Sequence, residues 1–227
     1  MIREILSLIF PPLCIHCGRP LVGNERHLCT FCLSEIPWSH HAQQPDNLAE
    51  MRLVGRIPTQ SAASLMIFQK GNVAQSIVHQ IKYHGSTQLA KLFGHLLGDE
   101  LIASGRFDDI DYLVPVPLHW RRQLKRGYNQ SQLLCEAIAE KMNKPIVRNN
   151  LYRKKYTTSQ THKNRLNRLE NMQGVFAVRR PHQFENKHIL LVDDILTTGA
   201  TTEACYSALA TIPDLKISVA VLAVTSN

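Results

Sequence analysis

His188-Ile-Leu-Leu-Val-Asp-Asp-Ile-Leu-Thr-Thr-Gly-Ala-Thr-Thr202 is the stretch on which the reading of the fold turns. Residues 188–192 are rich in β-forming side chains and bounded by charge, which predicts a short buried strand. Asp193 and Asp194 stand where that strand ends. Thr197, Thr198, Gly199, Ala200 and Thr201 then make a tight turn of small residues into a helix with Ala204, Ala208, Leu209 and Ile212 on one face. In open α/β sheets, ligands bind outside the carboxyl ends of the strands. Hydroxyls and a glycine let backbone amides wrap an anion at the helix N-terminus, where the dipole favours negative charge. Paired acids beside an anion site predict a ligand with vicinal hydroxyls or a bound Mg2+, and a phosphorylated ribose has both. No G-x-x-x-x-G-K-[ST] or G-x-G-x-x-G occurs, which argues against a P-loop NTPase or a dinucleotide-binding domain.

The order of strand, two acids, two apolar residues and a Thr-Thr-Gly-Ala-Thr loop resembles the signature of the type I phosphoribosyltransferases. The resemblance implies that Asp193 and Asp194 hold the ribose hydroxyls of phosphoribosyl pyrophosphate (PRPP), with catalytic consequence, and that residues 197–201 hold its 5′-phosphate. It also implies Mg2+ carried by the pyrophosphate.

The chain has 227 residues, 44% of them hydrophobic and 19% charged, as expected of an ordinary globule with a sizeable core. That length suits one full domain and a small accessory one. The formal net charge of +8 is uneven: residues 119–170 hold 13 of the 26 Lys and Arg and only Glu136, Glu140 and Glu170 as acids. Such a cationic block beside an anion loop implies a polyphosphate ligand or nucleic acid, while a solvated basic face is the bland alternative. No stretch approaches eighteen apolar residues, so no membrane span is expected. The first thirteen residues are interrupted by Pro11 and Pro12 and lack a small-residue cleavage site. Ile2, Ile5, Leu6 and Ile9 instead fall at helical spacing, and a cytoplasmic location is expected.

Cys14, Cys17, Cys29 and Cys32 form two C-x-x-C knuckles, which bring four thiolates to the tetrahedral geometry of structural Zn2+. Gly18 suits the turn of the first knuckle. Iron accepts the same ligands. Two disulfides are the alternative, disfavoured in a chain without an export signal. His16 and His27 are expected at the surface, and Cys135 and Cys205 as buried thiols on helices.

Along the rest of the chain, residues 39–58 read as a linker or irregular excursion. A strand is expected at 61–68, then two helices carrying Val73, Ile77 and Ile81, and Leu89, Leu92, Phe93, Leu96 and Leu97. A strand at 111–117, a basic loop and a helix at 129–143 follow, the helix opened by a capping box of Asn129 and Gln132. Further strands are expected at 145–147, 175–178, 188–192 and 217–224. The alternation predicts an α/β fold, a largely parallel sheet flanked by helices over residues 59–227, with the small four-cysteine zinc-binding region and linker at 1–58.

Arg121, Arg122, Lys125 and Arg126 lie in the loop after the 111–117 strand, where phosphoribosyltransferases place their pyrophosphate loop, and Arg grips phosphate bidentately. Residues 152–174 form a basic stretch longer than ordinary loops, carrying Thr157, Thr158, Ser159, Gln160, Arg165, Arg168 and Asn171. Phosphoribosyltransferases close a loop so placed over PRPP, though a polar helix from about 163 to 171 is an alternative. The paired cysteines, the Pro-Val-Pro loop, Arg126-Gly-Tyr-Asn-Gln130 and the acid-pair loop together make the whole chain resemble the ComF/GntX family. Lys163 departs from the family's hydrophobic residue in that loop.

This resemblance implies a zinc-finger region fused to a phosphoribosyltransferase-like domain, linked to natural competence and the use of taken-up DNA. It implies PRPP or a nucleoside 5′-phosphate as ligand, and single-stranded DNA or DNA-uptake and DNA-processing proteins as partners. Three functions compete: a phosphoribosyltransferase, a PRPP- or nucleotide-sensing module, and a DNA-handling protein with Tyr128, Tyr152 and Tyr156 as stacking rings.

Overall fold

The computed structural model describes residues 11–154 and 174–226. The expected N-terminal helix and residues 155–173 of the long basic stretch, including Lys163, lie outside that range. Within it the strands are β1 (Ala62–Phe68), β2 (Tyr112–Pro115), β3 (Leu151–Arg153), β4 (Phe176–Val178), β5 (His188–Leu196) and β6 (Lys216–Thr225). The helices are α1 (Thr30–Ser34), α2 (Leu48–Met51), α3 (Val73–Tyr83), α4 (Thr87–Ser104), α5 (Trp120–Arg126), α6 (Gln130–Met142) and α7 (Ala200–Leu209).

Four strands form the main sheet in the order β1-β6-β5-β2, every pair parallel. Successive side chains of a strand face opposite ways, so a sheet covered on both sides needs strands that are apolar throughout. In β5, Leu190 and Val192 join a core with α3, α4, α6 and the N-terminal cysteine region, whereas Ile189 and Leu191 join one with α2 and α7.

Several expectations change in detail. β5 runs to Leu196, because Asp193 and Ile195 keep their pairing with Val221 and Ala223 of β6. The acids therefore sit inside the strand, near its end. The strand expected at 145–147 is reduced to one parallel bridge between Leu113 and Ile146. β4 pairs antiparallel with β3 as a separate ribbon, since the main sheet already ends beyond β2. The basic loop after β2 is helix α5, capped by the His119 side chain, which accepts from the Arg121 amide at 3.2 Å. Asn129 caps α6, but Gln132 donates to Glu136 instead of closing a capping box.

Residues 39–58 fold onto the sheet. Asn47 caps α2 and donates to the carbonyls of His41, Gln44 and Ala62, while Ala49, Leu53 and Ile57 are buried. Arg106 fastens the same stretch through the carbonyls of Ala42 and Gln44 and the Glu50 carboxylate. These anchors are polar and distant in sequence, so no periodicity announces them.

On α4, Leu92 and Leu96 face outward, and Gly94 and Gly98 take the buried positions opposite α6. A Cβ on Gly94 would lie 2.6 Å from the Ala137 Cβ, and one on Gly98 would lie 2.9 Å from the Lys141 Cβ. The glycines thus set the approach of α4 to α6, the helix that delivers its N-terminus to the acid pair. Replacing Gly94 by Ala gains about 1 kcal/mol of helix propensity but overpacks a closed interface at about 1–3 kcal/mol. Urea unfolding should show a net loss of stability for Gly94→Ala. A gain would mean that the two helices part without cost.

Candidate functional site

Asp193 and Asp194 are met by the first turn of α6. The Asp193 carboxylate accepts from the Ser131 hydroxyl and from the Asp194 amide, both at 2.8 Å. Asp194, 8% exposed, accepts from Gln130 Nε2 at 2.8 Å and pairs with Lys82 Nζ of α3 at 3.2 Å. Burial pushes the Asp193 carboxyl up to about 7, and the charge of Asp194 adds to the rise. The Asp194 amide, the Ser131 hydroxyl and Lys82 oppose it.

Sequence reasoning missed Lys82, Ser131 and Gln130 as site residues. Gln130 closes the Arg-Gly-Tyr-Asn-Gln run and Ser131 follows it directly, so that run was the available signal. Lys82, the single lysine of an amphipathic helix, had none. The buried Gln130 Oε1 has no hydrogen-bond partner among the described residues. Carboxylate oxygens are the donors Mg2+ accepts, and Asp193 and Asp194 are the residues here of that type.

Thr197 and Thr198 follow the acids as exposed residues, and Gly199 is the buried N-cap of α7 with φ +80°. The backbone there is left-handed, which glycine adopts without cost. Ala200 and Thr201 form the first helical turn, whose amides lack intrahelical partners by geometry. The expected loop is therefore a three-residue turn and a helix start, in direct sequence with the acid pair.

The basic residues divide. Arg126 lies 4.8 Å over the Tyr83 ring, at the end of α3 and one residue from Lys82. Arg121 is exposed on α5, and the side chains of Arg122 and Lys125 lie outside the described range. Two of the tyrosines considered as stacking rings are otherwise engaged. The Tyr128 hydroxyl donates to the Ile81 carbonyl and accepts from the Gly85 amide, and Tyr152 lies under the Arg179 guanidinium. Tyr156 falls outside the described residues.

At the other end of the chain, the sulfurs of Cys14, Cys17, Cys29 and Cys32 all lie within 4.8 Å of one another, with Cys17 and Cys29 at 3.7 Å. Four thiolates at 2.3 Å around one ion stand about 3.8 Å apart, so the cluster fits tetrahedral Zn2+. Burial alone would raise the Cys14 thiol, but amides of Cys17, Cys29 and His16 outweigh it and hold the group below the usual thiol range. Gly18 turns the first knuckle with φ +72°. His16 is exposed, bonded to Ser76, and His27 is half-buried, both outside the cluster. Cys135 and Cys205 are buried on helices, and burial raises both thiols. No helix among the described residues is long and apolar enough to cross a membrane.

Residues 5–43 match the family described as a double zinc ribbon domain. The chain is 30% identical over 194 residues to DNA utilization protein YhgH of Escherichia coli (strain K12), spanning 83% of this chain and 74% of that one. It is 28% identical over 192 residues to competence protein F of Haemophilus influenzae, spanning 84% and 75%. Among solved structures it is similar to a purine phosphoribosyltransferase from Pyrococcus horikoshii Ot3, with a TM-score of 0.38 and 16% identity over 58% of this chain and 75% of that one.

The raised Asp193 carboxyl has a consequence for stability. The folded state holds that proton more tightly than the unfolded chain, where Asp titrates near 4. Stability is therefore lost as pH climbs from about 4 through the folded value of about 7, and the loss is complete above it. Asparagine keeps an oxygen for Ser131 and the Asp194 amide but carries no charge. Thermal unfolding of Asp193→Asn should show a midpoint a few degrees above the parent at pH 8 and no gain at pH 4. An equal difference at both values would contradict the strain.

Proposed function

The chain belongs to the ComF/GntX family of competence and DNA utilization proteins, and on that premise we propose that it binds PRPP or a nucleoside 5′-phosphate in the service of using taken-up DNA. The observation that carries this reading is the unbroken order at the end of β5: two compensated acids, a turn through left-handed Gly199, and the start of α7. Asp193 and Asp194 hold the two ribose hydroxyls, each carboxylate oriented by the α6 side chain bonded to it. Thr197, Thr198, Gly199, Ala200 and Thr201 take the 5′-phosphate on backbone amides and hydroxyls, favoured by the helix dipole.

Lys82, placed against Asp194, keeps the carboxylates from repelling the ligand and stands ready to face its negative charge. Arg121, Arg122 and Arg126, on the helix after β2, neutralise the pyrophosphate. Mg2+ supplies charge neutralisation when it arrives with the pyrophosphate. A cleft lined by Gln123, Gln132 and Asn149 opens beside the α6 N-terminus, and its side-chain amides suit the edge of a nucleobase. Where transfer to a base takes place, the acids would stabilise positive charge developing on the ribose without moving, as preorganised groups do.

Calorimetric titration of the zinc-loaded protein with PRPP and Mg2+ tests the reading. Asp194→Asn should bind about tenfold more weakly, as expected for loss of a charge-assisted contact. Gly199→Val should bind undetectably, because Val resists φ +80° and its Cβ would sit 3.3 Å from the Arg52 carbonyl oxygen. If both variants bind as well as the parent, the ligand does not use this loop. Pyrophosphate release with added bases then separates transferase from sensor.

A further inference from the structure

Arg52, in the stretch between the cysteine cluster and the sheet, reaches the far end of the chain. As the C-cap of α2, it donates from Nη1 to the Thr197 carbonyl at 3.1 Å and from Nη2 to the Thr225 carbonyl at 2.9 Å. One planar guanidinium thus joins carbonyls at the ends of the neighbouring strands β5 and β6. Its own backbone presses on the same turn: a Cβ on Gly199 would lie 3.3 Å from the Arg52 oxygen and from Leu53 Cδ2. One turn further on, Arg56 pairs with Glu203 of α7 at 3.1 Å.

Peptide planarity converts this contact into a statement about the loop. The Thr197–Thr198 peptide is trans, so the carbonyl of Thr197 and the amide of Thr198, which share one plane, point in opposite directions. Holding that carbonyl on the guanidinium turns the Thr198 N–H away from Arg52. Were the plane to rotate, a carbonyl oxygen would replace an amide in the turn, and an anion would meet a negative dipole end.

We propose that Arg52 is a positioning residue that sets the Thr197–Thr198 peptide plane and so presents the Thr198 amide to a phosphate. The proposal rests on the reading of residues 197–201 as the 5′-phosphate site. It makes the segment before the sheet part of the ligand site, since α2 is itself held by Asn47 and by Arg106. A lysine at this position keeps the charge but, as a single ammonium, does not reproduce the planar fork across two carbonyls.

The experiment uses the full-length zinc-loaded protein, Arg52→Ala and Arg52→Lys. NMR relaxation of the Thr198 amide is read without ligand, and ribose 5-phosphate is then titrated. Both variants should show a less ordered Thr198 amide and about tenfold weaker ribose 5-phosphate binding, the scale of one hydrogen bond to a charged group. A Thr198 amide as ordered in Arg52→Ala as in the parent would overturn the proposal. So would parental affinity in Arg52→Lys, which would leave Arg52 as a point charge only. A parent protein that binds no ribose 5-phosphate would overturn the function proposed above, and the order of the Thr198 amide would still decide the role of Arg52.

Discussion

Two neighbouring carboxylates at the end of a buried strand are costly unless hydrogen bonds and opposite charge compensate them. Here the compensation comes from two helices on one face of the sheet: Gln130 and Ser131 from the first turn of α6, and Lys82 from α3. Much of the molecule serves that arrangement. Gly94 and Gly98 let α4 close on α6, and the Tyr128 hydroxyl ties the end of α3 to the turn before α6. A sheet that needed only stability would place apolar residues at these positions, because burying paired charge is weak evidence for stability.

The pattern of the sequence carried the acids, the Thr-Thr-Gly turn, the four cysteines and most of the strands, since each rests on local chemistry or on short-range periodicity. Leu190 and Val192 facing one core, and Ile189 and Leu191 the other, follow from the period of two in a strand. What the pattern did not carry is long-range and polar. Lys82 meets Asp194 across 112 positions of chain, and Arg52 meets Thr197 across 145. Nothing local marks either side chain. β5 is longer than its side chains suggest for a related reason: charge at Asp193 reads as a strand end, while backbone pairing with β6 continues regardless of the side chain.

The N-terminal region is physically continuous with the carboxyl edge of the sheet. Cys14, Cys29 and Cys32 share a buried cluster with Leu65, Ile77 and Phe93, and Trp38 pairs with Met66 on the outer strand β1. From there the chain passes through the Asn47 and Arg106 anchors to α2, and through Arg52 to the turn after β5. The four-cysteine region at one end of the chain and the turn after β5 near the other therefore bear on the same sheet, which gives a physical basis for their occurrence in one polypeptide.

The most direct measurement is a crystal structure of the zinc-loaded protein with PRPP and Mg2+. The ribose hydroxyls should lie within hydrogen-bond distance of Asp193 and Asp194, with the 5′-phosphate on the amides of residues 197–201. PRPP bound elsewhere, with the acids still meeting only Ser131, Gln130 and Lys82, would contradict the assignment of this strand end as the ligand site.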